Sequence, residues 1–562
     1  MPKLNKSQNL SEKLGKGGKK LKKKPALTLR ERLGEKRKAE EKRQKIIGLL
    51  ITSLTLSGLV GLPLILLFDV EIGVAVAAGI ASIIFACQYP RLALWAFLIY
   101  MPFSGTVTYA LGGGNAIFQI SKDFLYIPAL LALVVECRRT RKPILIPQKL
   151  LPSFAILLFM SLLTLLFVNT LQEFLPYCSE VRKEMCKEGI PFLQGVLGLK
   201  VLIGYVPLIF CAYYLIEDKK QMFFLGRLLL VLAIICCVLG LMQYWLLSSG
   251  RCVGTRELTG AELFKPNLSA RCLVGGALLY SPSQGVIRLP GTFVSPWHWG
   301  WFLIANSVIT FTIAFFDKSF YWRLAGLGGM ALVFINAVIS GQRIAFALVP
   351  VLTVILLILT GQIKNFKRFI PLGVGLVLLL SLAAIFNPNI VQERVASFVG
   401  RWHASPPHVF MLQQFDYAVN NTQGILGRGL GKATNSTRVF GPISFIETFH
   451  AKLIYEMGYL GTLAFMVFVT HLCILTYQDY RSIGDPSLRS FASSFWVFIL
   501  IISYFPYWYP LDTDPVAIYY WLFAGVIFKL PVIDKQEEQE PGTEVESLGN
   551  KKLKLKRLRK KL

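Results

Sequence analysis

Residues 228–247 read LLLVLAIICCVLGLMQYWLL, twenty consecutive residues without a charged side chain. As a helix, a run of this length extends about 30 Å, which matches the hydrocarbon core of a bilayer. Backbone groups in lipid have no water to bond, so the run must satisfy them internally as a helix. It therefore predicts one membrane-spanning helix.

Similar apolar runs recur along most of the chain, and about fourteen are long enough to cross a bilayer at ~17–25 residues each. They cover residues 46–68, 70–88, 92–111, 117–137, 150–168, 196–216, 223–247, 299–316, 324–340, 344–361, 369–387, 455–477, 491–507 and 515–530. We therefore predict an all-α, polytopic integral membrane protein with about fourteen transmembrane helices.

The overall composition agrees with this reading. Of the 562 residues, 54% are hydrophobic and only 16% are charged, and the mean hydropathy is +0.54. Soluble globular proteins carry about 25% charged residues, so the composition excludes a soluble enzyme of this size and also a disordered chain.

The net charge of +28 is concentrated in the two tails. Residues 1–45 contain 17 Lys or Arg and five Glu, and residues 551–562 contain eight Lys or Arg and no acidic residue. We interpret the tails as contacts for the anionic lipids of the inner membrane face, and not for nucleic acid. The first apolar run follows a basic segment far longer than that of a signal peptide, so we expect it to remain as an anchor.

Basic residues in every second short connection predict the orientation of the spans, because cytoplasmic loops are enriched in Lys and Arg. These residues are Arg91, Arg138, Arg139, Arg141, Lys142, Lys219, Lys220, Lys318, Arg323, Lys364, Lys367, Arg368, Arg481 and Arg489. An even number of spans also returns the basic C-terminus to the same side. Both termini are therefore predicted to be cytoplasmic.

Three long polar segments then lie on the outer, periplasmic side, at about 169–195, 248–298 and 388–454. Loops of this length are usually functional. The predicted organisation is a basic cytoplasmic tail (1–45), an N-terminal transmembrane bundle (46–247), a periplasmic loop (248–298), a core (299–477) that includes the loop 388–454, C-terminal transmembrane helices (478–530) and a second basic tail (531–562).

Four cysteines lie in the outer segments as two close pairs, Cys178 with Cys186 and Cys252 with Cys272. An oxidising outer compartment would join each pair in a disulfide, and four free thiols are the alternative. The chain has no C-x-x-C pair and no H-x-x-x-H pair, so we predict no metal site.

A histidine and several arginines on the predicted outer side are the candidate reactive residues. His450 ends the long loop just before a span, where a neutral imidazole can accept a proton from a hydroxyl. Arg288, Arg343, Arg401 and Arg428 stand against the positive-inside trend, and guanidinium groups bind phosphates bidentately. Together they favour an anionic, lipid-borne substrate.

The Gly-rich segment 427–432, GRGLGK, is similar to a phosphate-binding loop but fails its pattern. A Walker A motif requires Gly at position 426 and Ser or Thr at 433, where this chain has Leu426 and Ala433. We therefore expect a tight turn, with backbone amides that could still face an anion.

Four motifs in order resemble the O-antigen ligase and O-antigen polymerase superfamily. Residues 288–293, RLPGTF, resemble its R-x-x-G-T-F entry, and residues 340–343, SGQR, resemble its S-R turn with an insertion. Residues 401–431 are similar to its large periplasmic loop. Residues 447–461, from Glu447 through His450 to the segment YEMGYLG, resemble its closing histidine and glycine motif. The basic N-terminal tail also resembles membrane proteins of cyanobacterial exopolysaccharide clusters.

The resemblance implies glycosyl transfer at the periplasmic face of a bacterial plasma membrane. The donor would be a glycan on undecaprenyl pyrophosphate, the acceptor a glycan or a lipid, and no metal or other cofactor would be needed. The implied residues are His450 as the base, Arg288, Arg343 and Arg401 as pyrophosphate binders, and Arg428 and Glu447 in support.

Two alternatives from other classes remain open. A lipid-linked oligosaccharide flippase also suits about fourteen spans, and it predicts related halves and cations inside the bundle. A non-catalytic assembly protein would use mainly its basic tails. The motifs also do not separate a ligase from a polymerase, because both use the same donor.

Overall fold

The structure is a computed structural model, and it describes residues 29–67, 70–114, 118, 121–143, 148–178, 186–256, 258, 271–276, 278–281, 286–363, 392, 399–400, 403, 406–508 and 510–539. The predicted span 369–387, most of the loop 388–454 before Pro406, and residues 1–28 and 540–562 of the two basic tails lie outside these residues. The statements below concern the described residues.

The described chain is almost entirely helical. Its α-helices are α1 Leu29–Leu67, α2 Val70–Gln88, α3 Pro90–Tyr100, α4 Ser104–Thr106, α5 Asp123–Arg139, α6 Leu151–Thr164, α7 Thr170–Glu173, α8 Pro191–Ile203, α9 Leu208–Leu215, α10 Lys219–Ser248, α11 Pro296–Phe316, α12 Phe320–Ile339, α13 Arg343–Leu359, α14 Pro407–Asn421, α15 Phe449–Ser482, α16 Pro486–Tyr504 and α17 Asp514–Gln539. Short 3₁₀ segments cover Met101–Phe103, Asn435–Val439 and Pro510–Asp512, and π-helical turns cover Val107–Leu111 and Leu165–Asn169.

Two short strands interrupt this helical architecture. Strand β1, Leu279–Ser281, pairs antiparallel with β2, Val286–Arg288, and Tyr280 lies opposite Ile287. The hairpin lies in the segment 248–298, which the sequence predicts to be a loop.

Eleven helical segments of the described chain are long and apolar enough to cross a membrane. They are Ile47–Leu67, Val70–Gln88, Pro90–Leu111, Leu151–Glu173, Pro191–Leu215, Lys219–Ser248, Pro296–Phe316, Phe320–Ile339, Phe449–Ser482, Pro486–Tyr504 and Asp514–Glu538. The predicted spans 117–137 and 344–361 correspond to the 17-residue helices α5 and α13. By the length and composition of its helices the chain is an all-α, multi-pass membrane protein, as the sequence predicts.

Short connections alternate with long ones, and this distinguishes two ends of the helical assembly. We call the end with the segments 174–190, 249–295, 422–448 and 505–513 the loop end, and the other the tail end. At the tail end Arg91 pairs with Glu136 at 3.4 Å and with Glu217, and Lys219 pairs with Glu537 at 2.8 Å. Helices joined by such short connections run antiparallel.

Helix α11 is the centre of the assembly, since 94% of its apolar window is buried. Small residues allow neighbouring backbones to approach closely, which is how helices associate where lipid removes the hydrophobic driving force. Gly326 of α12 lies against the backbone of Ala314 on α11, and Gly525 of α17 lies against Ile209 on α9. In contrast, only 6% of the α1 window is buried.

Helix α15 is broken at Gly458, which has φ 70° and ψ −173° inside the helix. The Gly-rich loop lies over the break. The amide of Arg428 donates to the carbonyl of Tyr455 at 2.8 Å, and that of Gly429 donates to Glu456 at 3.0 Å. The loop is therefore a cap for a broken helix, and these two amides are already engaged.

The side chains around the loop complete this cap. The amide of Leu430 donates to Asn169 Oδ1 at 2.8 Å, and the amide of Ala433 donates to Glu456 Oε1 at 2.7 Å. Three amides of the segment and that of Ala433 are thus used within the protein. The expected tight turn is present, and its amides serve helix α15 and Asn169.

We expect Gly458→Ala to lower the free energy of unfolding by roughly 2–4 kcal/mol. The residue occupies the left-handed region, and a Cβ atom there would overlap the carbonyl oxygen of Ile425. The thermal unfolding midpoint of the purified chain in detergent measures the effect. Gly328→Ala is the matched control, since that position on α12 has open space around it. Equal midpoints for the two variants would contradict the capping role of the break.

Candidate active site at the loop end

Arg288 and Arg343 are brought together by a close approach of two backbone segments. The amide of Leu289, just after β2, donates to the carbonyl of Ser340 at 3.0 Å. Gly341 has φ 69°, and a Cβ atom there would overlap the carbonyl oxygen of Ile287. Only glycine permits this contact, so the insertion in the SGQR turn has a structural reason.

Arg343 begins helix α13, and the polar residue before it, Gln342, is buried. Gln342 is the N-cap but its side chain makes no capping hydrogen bond. It is 1% exposed, and neither its Nε2 nor its Oε1 has a hydrogen-bond partner among the described residues. The helix N-terminus adds a partial positive charge beside the guanidinium of Arg343.

Glu447 and His450 flank the start of helix α15. The amide of Glu447, which precedes the helix, donates to Gln414 Oε1 on α14 at 2.8 Å. Thr448 forms an antiparallel bridge with Tyr507, and the amide of Phe449 donates to the carbonyl of Pro506 at 2.7 Å. The segment 505–508 therefore fixes where helix α15 begins.

Electrostatic coupling joins the two arginines to this segment. Glu447 as a whole residue is exposed, yet the protein around its carboxylate partly desolvates it and raises its pKa, and Arg288 acts in the opposite direction. The pKa of Tyr507 is raised by burial first and then by Glu447, while Arg343 and Arg288 lower it. Such effects weaken with distance, so these four side chains share one neighbourhood.

The imidazole of His450 is held by its surroundings and keeps one nitrogen without a partner. Its ring lies 5.8 Å from the ring of Phe449 and 6.5 Å from that of Phe465, and it forms a hydrogen bond with the backbone of Ser503. The Ser503 carbonyl is available because α16 ends at Tyr504. Nε2 is buried and has no partner among the described groups, so no described group occupies this nitrogen.

The two remaining predicted arginines are placed elsewhere or not described. Arg401 lies outside the described residues. Arg428 donates from Nε to the carbonyl of Asn421, and its guanidinium lies 5.7 Å from the centre of the Tyr455 ring. Its own carbonyl accepts from Gln172 Nε2 at 2.9 Å. Arg428 therefore supports the Gly-rich loop and helix α15, and the contacts described for it do not include the arginine pair.

A buried ion network near the loop end was missed by our reading of the sequence. Lys122 pairs with Asp514, the phenol of Tyr205 donates to Asp514 at 3.1 Å, and Lys200 pairs with Asp123 at 2.8 Å. The signal was present, since Asp123 and Lys200 interrupt runs that we predict to span the membrane. Charges at such positions are costly unless paired and often mark functional sites.

A second buried pair lies on helix α15 itself. Lys452 is 3% exposed and pairs with Asp512, and it lies one turn before Glu456, which is also 3% exposed. Through Ala433 and Thr434, Glu456 anchors the Gly-rich loop. The ion pair between Lys452 and Asp512 therefore connects the start of α15 to the segment before α17.

Both cysteine pairs of the loop end are joined by disulfides, Cys178 to Cys186 and Cys252 to Cys272. The second staples the end of α10 to the hairpin segment that leads to Arg288. In the part of the chain that the structure describes, no group of three or more His, Cys, Asp or Glu side chains converges in a way suited to a metal ion.

Comparison with known proteins assigns no family. The chain matches no protein-family model, and no curated protein matches it. The resemblance to O-antigen ligases and polymerases stays a prediction from short motifs. Function is therefore inferred from the residues of the site and their geometry.

We expect Glu447 to make anion binding at the arginine pair depend on pH. Because its pKa is raised, the carboxylate is protonated at a higher pH than an ordinary Glu, and this leaves Arg288 less compensated. The affinity of the purified chain for sulfate should therefore rise as pH falls through this pKa, by about threefold to tenfold. Isothermal titration calorimetry across acidic and neutral pH measures it.

The variant Glu447→Gln isolates this effect, since every imidazole is retained. It should bind sulfate more tightly at neutral pH and lose the part of the pH dependence that the carboxylate causes. Asp416→Asn, on the exposed face of α14, is the control and should keep the wild-type profile. Superimposable profiles for wild type and Glu447→Gln would refute the coupling.

Proposed function

We propose that this chain is a membrane glycosyl-transfer enzyme of surface polysaccharide assembly. It polymerises or ligates glycan from an undecaprenyl-pyrophosphate donor at the periplasmic face of a bacterial plasma membrane. One observation carries the proposal. Arg288 and Arg343 lie in the electrostatic neighbourhood of Tyr507, whose segment pairs with the residues that lead into His450.

The arginine pair supports recognition of a diphosphate. Two guanidinium groups and the N-terminus of helix α13 place positive charge at the loop end, at the start of an apolar helix. A polyprenyl pyrophosphate has its diphosphate at the bilayer surface and its chain in the lipid. A site at the end of an apolar helix would suit such a donor, and the proposal requires no nucleotide sugar.

His450 supplies the base in this proposal. Its Nε2 accepts the proton of an acceptor hydroxyl, whose oxygen then forms the new bond to the anomeric carbon. The bond from that carbon to the phosphate oxygen breaks, and the electron pair leaves on the pyrophosphate with inversion at carbon. Arg288 and Arg343 stabilise the charge that develops on the leaving group.

The buried ion network supports a second candidate, a flippase for lipid-linked oligosaccharides. Lys122, Asp123, Lys200 and Asp514 lie between helices, as the charged groups of a transporter do. In a flippase these residues would be essential for bringing the glycan across the membrane, and His450 would be dispensable. The third reading, a non-catalytic assembly protein, makes both sets dispensable.

Strains carrying His450→Ala or Arg343→Ala test the enzyme reading. We expect each to reduce polymer formation by about 100-fold or more, because a general base contributes about 10²–10⁴ in rate and one group that stabilises developing charge contributes about 10²–10³. The measurement is the profile of surface polysaccharide and of lipid-linked intermediates. Accumulated single repeats indicate a polymerase, and full-length lipid-linked chains left untransferred indicate a ligase.

Arg251→Ala is the matched control, since this arginine lies at the loop end over the ring of Trp245, outside the site. Its profile should be that of the wild type. In the His450→Ala strain the accumulated glycan should be accessible to a membrane-impermeant oxidant added to the outside. Lipid-linked glycan that accumulates in a Lys122→Ala strain and is protected from the oxidant indicates a flippase, and normal profiles in both site variants exclude the enzyme reading.

A further inference from the structure

The connection between α16 and α17 presents an aromatic cluster next to the arginine pair. The rings of Tyr507 and Trp508 stack with centroids 5.6 Å apart and an interplanar angle of 12°. Phe410 of α14 meets the Tyr507 ring edge-on at 5.9 Å and 83°. All three residues are half-buried, so part of each stays accessible. We call Phe410, Tyr507 and Trp508 the aromatic shelf.

Trp508 is held in a backbone conformation that a bulky residue rarely adopts. Its φ is 58°, in the left-handed region, where a side chain of this size is strained. Such strain persists only where the surroundings determine it, and it concentrates at functional sites. Here the indole of Trp301 donates to the carbonyl of Trp508 at 3.2 Å, and the bridge from Tyr507 to Thr448 holds the preceding residue.

The shelf lies beside charged groups that complement a glycan diphosphate. The charges of Glu447, Arg288 and Arg343 act on Tyr507, and the segment of Tyr507 pairs with Thr448 next to Glu447, so the aromatic rings lie near these charged groups. The C–H face of a pyranose ring is apolar and carries partial positive charge, which the negative face of an aromatic ring attracts. Carboxylates such as Glu447 accept hydrogen bonds from sugar hydroxyls.

We propose that the aromatic shelf is a carbohydrate-binding subsite, on which one pyranose ring of the glycan stacks while the arginine pair holds its diphosphate. The proposal rests on the proposed function and adds the part of the substrate that the arginines do not contact. The shelf positions the sugar and takes no part in proton transfer. The strained backbone of Trp508 sets the angle at which that ring meets the sugar.

Trp508→Gly is the sharpest variant, because glycine adopts a positive φ without strain and removes only the ring. The purified full-length chain in detergent is titrated with two probes: neutral oligosaccharides released by mild acid from the host's surface polysaccharide, and sulfate. We expect at least a tenfold loss of oligosaccharide affinity and unchanged sulfate affinity. A cooperative thermal unfolding transition shows that the variant is folded.

Tyr507→Ala should likewise weaken oligosaccharide binding, and Trp508→Phe should keep it within about threefold of the wild type, because a phenyl face remains. Trp245→Ala removes an exposed aromatic of the loop end outside the shelf and should change neither affinity. Wild-type oligosaccharide affinity in Trp508→Gly overturns the subsite, as does a parallel loss of sulfate affinity, which would indicate a structural role.

The two proposals fail separately in this experiment. If Arg343→Ala weakens sulfate binding and Trp508→Gly leaves oligosaccharide binding intact, the subsite is wrong and the diphosphate site stands. If Arg343→Ala leaves sulfate binding unchanged, the proposed function loses its donor site, whatever the shelf binds.

Discussion

The cost of removing charge from water governs where this chain places its polar side chains. At the tail end Arg91 and Lys219 pair with carboxylates near the ends of other helices. Deeper at the loop end, Lys122 and Lys452 are buried and each pairs with an aspartate. A buried charge without a partner would cost several kcal/mol, so these pairs determine which helices can be neighbours.

The backbone meets the same constraint at the loop end, where helices begin, end and break. The break at Gly458 exposes carbonyls that the Gly-rich loop then satisfies, and the end of α16 exposes the Ser503 carbonyl that His450 contacts. Gly341 lets strand β2 approach the start of α13. The candidate site is thus assembled where irregular backbone has to find partners, and its side chains follow from those contacts.

The apolar runs and the distribution of charge in the sequence were sufficient to predict the helical architecture. They predicted less of the candidate site. Apolar runs predicted most of the spans, and the cysteine pairs joined in the structure are those that their spacing suggested. The motif at 427–432 was ambiguous, because spacing alone does not show that its amides point at α15. Asp123 and Lys200 were overlooked, because each lies in a long apolar run and its partner lies far away in sequence.

By itself the sequence determined that this chain is a helical, multi-pass membrane protein, because lipid admits only apolar segments with internally bonded backbone. It also singled out Arg288, Arg343 and His450 as candidates. The tertiary structure alone decided which of these share a neighbourhood, since the segments that carry Arg288 and Arg343, about fifty residues apart, approach through the hydrogen bond from Leu289 to Ser340. The tertiary structure also placed Tyr507 and Trp508 near them. That placement depends on the bridge between Tyr507 and Thr448 at the start of α15, and such a contact leaves no periodic pattern in the sequence.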